Sequence, residues 1–319
     1  MEELKKILYF IFIGFIIIGS IQYLVNFGVK KSQDGQFGKV NNLMNHKINP
    51  QIICFSSSVG EVGFNSRIIS EKLKMSVYNC SIDGTSYIQY KGLIEEYSTY
   101  PNKSELIILI ESYLSFQNPK QVSSLERYIL HLNNKNLYRS LANLQPDLIW
   151  KCKNVPLYQF IPVTHVFYKN SFKGWLSFLN GNNKIDSLMG QTPVYRSWES
   201  DQDEFLRSGK TFPINLDKDV INSYINDLLV LKKQGKKVII IFTPVYKGLE
   251  EYKLTDFNPI RSKFKMISKI TGFPFLDFTK SIISKNKEYF YNSNHLNYIG
   301  SNIFSTSLAD SLINNHVIN

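Results

Sequence analysis

The sequence predicts an α/β fold: a three-layer αβα domain around a central parallel sheet, preceded by one N-terminal transmembrane helix. Three observations predict it. From Ile7 to Val25 the chain runs 19 residues without a charge. Beyond residue 50, short apolar runs alternate with segments of helical period, the pattern of strand and helix units in a sheet sandwiched by helices. One of these runs, ELIILIE at 105–111, is apolar throughout between its two glutamates, as a strand covered on both faces must be.

The apolar stretch reads ILYFIFIGFIIIGSIQYLV. At about 1.5 Å per residue it crosses most of a hydrocarbon core of about 30 Å. Tyr9 and Tyr23, with Lys5, Lys6, Lys30 and Lys31 on the flanks, are the residue types that anchor a span at its two interfaces. A cleaved signal peptide is the rival reading, because two lysines precede the run. Its apolar region is ordinarily shorter and no small-x-small site follows Val25, which favours an uncleaved anchor over residues 1–27. Two lysines on each flank leave the orientation undecided by charge. Residues 28–50, rich in Gly, Ser, Gln, Asn and Lys, read as a linker that lifts a domain off the membrane.

The domain then fills 51–319. Strands are expected at 51–56 (QIICFS), 76–81 (SVYNCS), 105–111, 237–243 (KVIIIFT) and 273–278 (FPFLDF). Helices are expected at 67–74, 87–97, 122–144, 216–234, 259–270 and 297–314. The stretch at about 113–215 is irregular, rich in aromatic and polar residues, and reads as an insertion.

With 43% hydrophobic, 14% aromatic and 20% charged residues, a disordered or collagen-like chain is excluded. The formal charge of +11 permits nucleic-acid binding. No Arg-rich run or zinc-finger spacing accompanies it, so no nucleic-acid partner is expected and the charge reads as a diffuse basic surface. Cys54, Cys80 and Cys152 are odd in number and lack ligand spacing, which points to buried thiols and to neither metal nor cofactor. Cys54 and Cys80 fall in two strands of one sheet, and a disulfide between them stays open.

In an open parallel sheet, ligands bind outside the carboxyl ends of the strands. Ser56-Ser57-Ser58-Val59-Gly60 follows the first strand and Asn79 to Ser86 the second. Glu111-Ser112 follows the third strand and Thr243-Pro244 the fourth, and Asn292-Ser293-Asn294-His295 precedes the last helix. A serine cluster and a histidine at one sheet edge make a nucleophile and base, provided the fold closes the 237 residues between them. The geometric requirement is a Ser58 hydroxyl within about 3 to 4 Å of the His295 ring.

ICFSSSVGEVGFN, NCSIDGTS, FTPVYKG and FYNSNHLNYIG, in that order, resemble the SGNH/GDSL hydrolase superfamily. The likeness is greatest to its membrane-anchored bacterial branch associated with cell-surface polysaccharides, and it covers about 50–112 and 216–319. It implies a flavodoxin-like sheet and a serine esterase or O-acyltransferase, most plausibly for acetyl groups, acting on an acylated glycan without a cofactor. It also implies a single-pass cell-membrane protein, its helix in lipid and its main domain extracytoplasmic, with polysaccharide biosynthesis partners. Ser58 falls on the nucleophile, with its backbone N–H in the oxyanion hole; its bland alternative is an N-cap. Gly84 falls on a second oxyanion donor or is merely a turn residue, and His295 falls on the general base or is a capping or surface histidine.

Three departures qualify the likeness. Ser56 stands where a glycine is usual, and no counterpart of the third-block asparagine lies beside Glu111 and Ser112. Asn292 replaces the acid three residues before the histidine, able to orient the ring but without charge; Asp277 is a spare acid for that role. In the insertion, Trp175, Tyr195, Arg196, Trp198, Glu199 and Asp201 mix aromatic faces with polar groups as sugar clefts do, unless the segment packs a small core of its own. Trp175, Arg196 and Trp198 are the substrate-binding candidates. His131 and His165 are substrate contacts or nothing; His46 and His316 are weak candidates. A module that binds glycan without catalysis, within an envelope assembly machine, is the competing function.

Overall fold

A computed structural model describes residues 2–33, 35–99, 101, 104–181 and 188–315; His316 lies outside them. A helix α1 (Glu2–Lys31) and a short helix α2 (Gly35–Met44) come first. The domain continues through β1 (Ile52–Ser56), α3 (Ser58–Gly63), α4 (Ser66–Leu73), β2 (Val77–Asn79), α5 (Tyr87–Thr99) and β3 (Leu106–Glu111). After β3 come α6 (Lys135–Ala142), α7 (Pro146–Asn154), α8 (His165–Leu179) and α9 (Ser200–Arg207). The rest is α10 (Lys218–Lys233), β4 (Val238–Phe242), α11 (Gly248–Glu251), α12 (Asn258–Thr271), β5 (Phe275–Asp277), a hairpin β6 (Phe290–Asn292) and β7 (His295–Leu296), and α13 (Tyr298–Asn314).

The five main strands are all parallel in the order β2-β1-β3-β4-β5. Their side chains alternate between two cores, as period 2 dictates. Ile53, Phe55, Ile107, Leu109, Ile240 and Phe242 meet α2, α5, α10 and α12 on one face. Cys54, Ile108, Ile110, Ile239 and Ile241 meet α3, α4 and α13 on the other. The strand order reverses between β1 and β3, so the crevice above their carboxyl ends is where a ligand belongs.

Several expectations change. The stretch expected as one helix at 122–144 is two short 3-10 turns, Leu125–Arg127 and Ile129–His131, followed by α6. Cys54 and Cys80 lie in cores on opposite faces of the sheet and, like Cys152, are free buried thiols. Burial raises all three thiols well above the ordinary range, Cys80 to about 12 and Cys152 to about 11.

The linker expected at 28–50 is instead part of the domain. Phe37, Val40 and Leu43 of α2 are buried in the core at three-residue spacing. Lys39 on the same helix is buried as well, its Nζ 3.2 Å from Glu61 of α3 and donating to the Ser81 carbonyl at 2.9 Å. Gln36 and Thr192 also donate to the Glu61 carboxylate, at 2.9 and 2.8 Å. Lys39 and Asn41 in this stretch are therefore buried with partners, not solvated.

The described part of α1 is long and apolar enough to cross a membrane, and its most apolar window is entirely unburied. Its last turns dock on the insertion. A Cβ at Gly174 of α8 would overlap the Gly28 carbonyl, so the two glycines let the helix backbones touch.

Candidate active site

The decisive geometry lies at the end of β1. Ser57 is the N-cap of α3 and Ser58 its first residue, so Ser58 is not the cap. Its Oγ lies 2.7 Å from Nε2 of His295, closing the separation of 237 residues.

Ser56, the departure from glycine, is buried; its hydroxyl donates to the Ile110 carbonyl of β3 and accepts from Gly60 N–H at 3.2 Å. A Cβ on Gly60 would overlap the Ser56 side chain, so Ser56 packs in the space that a glycine at position 60 leaves open. Asn79, at the end of β2, donates its amide to the Gly60 and Phe64 carbonyls at 2.8 and 3.1 Å, fastening the short helix from its far end.

His295 sits on a two-stranded antiparallel hairpin in which Asn292 pairs with His295 across Ser293-Asn294. Asn292 Oδ1 accepts from the backbone N–H of Asn294 at 3.0 Å and of His295 at 2.9 Å, and it lies 3.0 Å from His295 Nδ1. Two backbone donors require an oxygen at that position, so the ring must also donate to it. Nδ1 therefore carries the proton and Nε2 presents its lone pair to Ser58. The HLN-x-x-G run has a mechanical reading. Leu296 is buried, Asn297 caps α13 through Gly300 N–H at 3.0 Å, and any Cβ at Gly300 would overlap the Tyr289 carbonyl.

Burial, with the Arg196 charge second, pushes His295 down to about 4. Tyr291 stacks on the ring at 5.4 Å, and Arg196 lies 4.4 Å over Tyr291 while pairing with Glu199 at 2.7 Å. Asp277 does not reach the histidine; it accepts from the Thr279 hydroxyl at 2.6 Å and faces Arg261 at 3.5 Å.

A cavity of about 240 Å³ opens beside Ser58. Gly84 lines it with φ +72°, a left-handed conformation that suits glycine. Ser86, Gln89, Ser112, Ser115, Gln117 and Ser123 also line it, and none carries a charge. Ser86 Oγ and Asn294 Oδ1 are buried at its wall without a hydrogen-bond partner among the described residues. Ser112 follows the end of β3 and lines the cavity. Beneath it, Glu111 is buried and accepts from Tyr90 at 3.1 Å, and burial raises its carboxyl above the ordinary range.

The insertion contributes less to the site than expected. Trp175 does not line the cavity beside Ser58; it packs on Phe27 at 4.6 Å and donates to the Leu24 carbonyl of α1. Trp198 packs on Tyr246 at 4.9 Å and donates to Asp203, a structural role. Arg196 alone of that trio lies by the Ser58–His295 pair, over the Tyr291 ring that stacks on His295. His131 holds α2 through Asn41 at 2.8 Å, His46 pairs with Glu96 at 3.1 Å, and His165 is exposed at the start of α8. The insertion does brace the hairpin, since Gln202 of α9 accepts from both the N–H and the hydroxyl of Ser293.

No family model and no curated protein matches this chain. Three solved structures are similar to it in overall fold. A protein described as a proposed platelet activating factor from Streptococcus pneumonia has a TM-score of 0.44 at 11% identity, over 92% of this chain and 98% of that one. A proposed SGNH hydrolase from Slackia heliotrinireducens has 0.39 at 10%, over 83% and 100%. A proposed acylhydrolase from Bacteroides fragilis has 0.36 at 10%, over 84% and 88%.

Proposed function

We propose that the chain is a membrane-anchored serine esterase or O-acyltransferase of SGNH type that acts on an acylated cell-surface glycan, with acetyl as the transferred group. One observation carries this reading: the Ser58 Oγ to His295 Nε2 contact of 2.7 Å, with the histidine held in the base tautomer by Asn292. In the first step Ser58 Oγ attacks the ester carbonyl and its proton passes to Nε2. The C–O bond to the sugar then breaks, and the same proton goes to the departing sugar oxygen. Water, or a second hydroxyl, reverses the sequence on the acyl-serine. Backbone N–H groups of Ser58 and Gly84 are the proposed oxyanion donors. The uncharged, hydroxyl- and amide-lined cavity supports a neutral polyhydroxyl ligand, and the unpartnered Ser86 and Asn294 atoms are the groups such a ligand would satisfy.

Incubation with an activated acetyl ester is expected to place acetyl on Ser58, detected by mass spectrometry. Ser58→Ala is expected to lower turnover by roughly 10³-fold or more while thermal stability holds. Equal inactivity of wild type and Ser58→Ala on a panel of acylated sugars would refute catalysis. The glycan-binding reading is favoured by one specific feature, the missing carboxylate: Asn292 cannot neutralise an imidazolium, and the Arg196 charge disfavours one. It is supported by glycan binding that survives Ser58→Ala in a wild type with no turnover.

A further inference from the structure

We propose that α8 is a second membrane-contacting element, its outer stripe of Tyr168, Phe172, Leu176 and Leu179 seated in the headgroup and upper acyl layer beside the anchor. This rests on the reading of α1 as a membrane span. The apolar run of α1 begins after Lys6, and about 20 residues at 1.5 Å cross the hydrocarbon core, so the domain-side boundary falls near Leu24 and Val25.

The domain grips α1 at that level. Trp175 Nε1 donates to the Leu24 carbonyl and Ser171 Oγ to the Val25 carbonyl, each at 2.9 Å. Nearby, Leu157 N–H reaches Gln22 Oε1 at 3.3 Å and Gln159 reaches Asn26 at 3.2 Å. No spacer separates these contacts from the span, so α8 begins where the hydrocarbon ends.

Its exposed stripe suits that depth. The four side chains are 46%, 65%, 45% and 71% exposed, at spacings of four, four and three residues that put them on one helical face. Ile161, just before α8, is exposed to the same 71%. Lys169 and Lys173 are exposed beside the stripe, and Trp175 completes the apolar, aromatic and basic mixture of an interfacial helix. The occupant is therefore lipid, of which an anionic headgroup is the part that pairs with the lysines.

The test uses the full chain reconstituted in vesicles of phosphatidylethanolamine and phosphatidylglycerol. Single cysteines at Phe15→Cys, Phe172→Cys, Leu176→Cys and Ile313→Cys carry an environment-sensitive fluorophore, with the three buried native thiols controlled by labelling wild type. Lipids spin-labelled just below the headgroup are expected to quench positions 172 and 176 by at least about twofold and leave 313, behind the opposite face of the sheet, unaffected. Quenching at 15 by chain-end labels without quenching at 172 or 176 would overturn the docking and leave the anchor standing. Absence of quenching at all of 15, 172 and 176 would overturn the anchor and the docking together. A protein-concentration-dependent blue shift at 172 without lipid quenching would assign the stripe to a second copy and overturn the proposal.

Discussion

At Asn292 the amide does part of what a carboxylate does. In serine proteases an Asp→Asn change costs about 10⁴ in turnover because the amide imposes the wrong tautomer. Here the backbone N–H groups of Asn294 and His295 fix the amide oxygen toward the ring, so the tautomer is already correct and only the charge is missing. Asn292→Asp accepts the same three bonds. It is expected to raise the His295 pKa by more than about one unit and turnover by roughly 10- to 100-fold, well short of 10⁴. Titration of the His295 ring by NMR and the acid limb of kcat/KM check it. In the wild type that limb is expected near pH 4, activity falling as pH drops through it because a proton on Nε2 removes the base. Ser58, His295, Gly84 and Asn292 were all legible in the sequence, since each is tied to a short local motif. Gln89, Ser115 and Gln117 are not, because a cavity wall assembled from separate segments has no spacing in sequence; only Ser86 and Ser112 fall in the polar runs that follow the strands.

The turn that presents Ser58 works as a pair of exchanged volumes. Gly60→Ala would overlap Ser56 and is expected to cost about 1 to 3 kcal/mol in urea unfolding. Ser56→Gly in the same chain is expected to restore part of that loss, because it removes two of the three overlapping atoms and leaves Ser81 Oγ at 2.9 Å. The buried ion pair that joins α2 to α3 makes a second prediction. Lys39→Met leaves Glu61 uncompensated and is expected to cost about 3 to 5 kcal/mol, more than the double change Lys39→Met with Glu61→Leu. A double-mutant cycle by denaturant unfolding measures the difference. The strands were legible because buried parallel strands are unbroken aliphatic runs. Helix α2 is hard to see in the sequence because its polar residues suggest solvent, although Phe37, Val40 and Leu43 recur at helical spacing; the partners Glu61 of Lys39 and His131 of Asn41 are tertiary and invisible locally. For the same reason Trp175 resembled a sugar platform, when its partner is an apolar helix far away in sequence.

At the scale of the whole molecule, two histidines among the described residues are kept neutral by burial. His131 and His295 are both pushed down to about 4 from an ordinary value of 6.5. Between those values the unfolded chain binds protons that the folded chain does not, so stability falls as pH falls from about 6.5 to 4. The loss is expected to be roughly 3 kcal/mol for each histidine and about 6 kcal/mol in total, seen as a falling Tm, with the raised Glu111 acting in the opposite direction. Helix α1, buried α2 and Ser58 are joined by one chain of contacts: α8 grips α1, α2 is sunk in the core, and Lys39 holds α3. A flexible tether of some twenty residues would let the serine roam about 25 Å from its mooring. Under the proposed reading of α1 as an anchor and Ser58 as a nucleophile, the absence of such a tether gives the serine a fixed working height, so the reach of the substrate toward the lipid, and not diffusion of the serine toward the substrate, sets which acyl group meets Ser58.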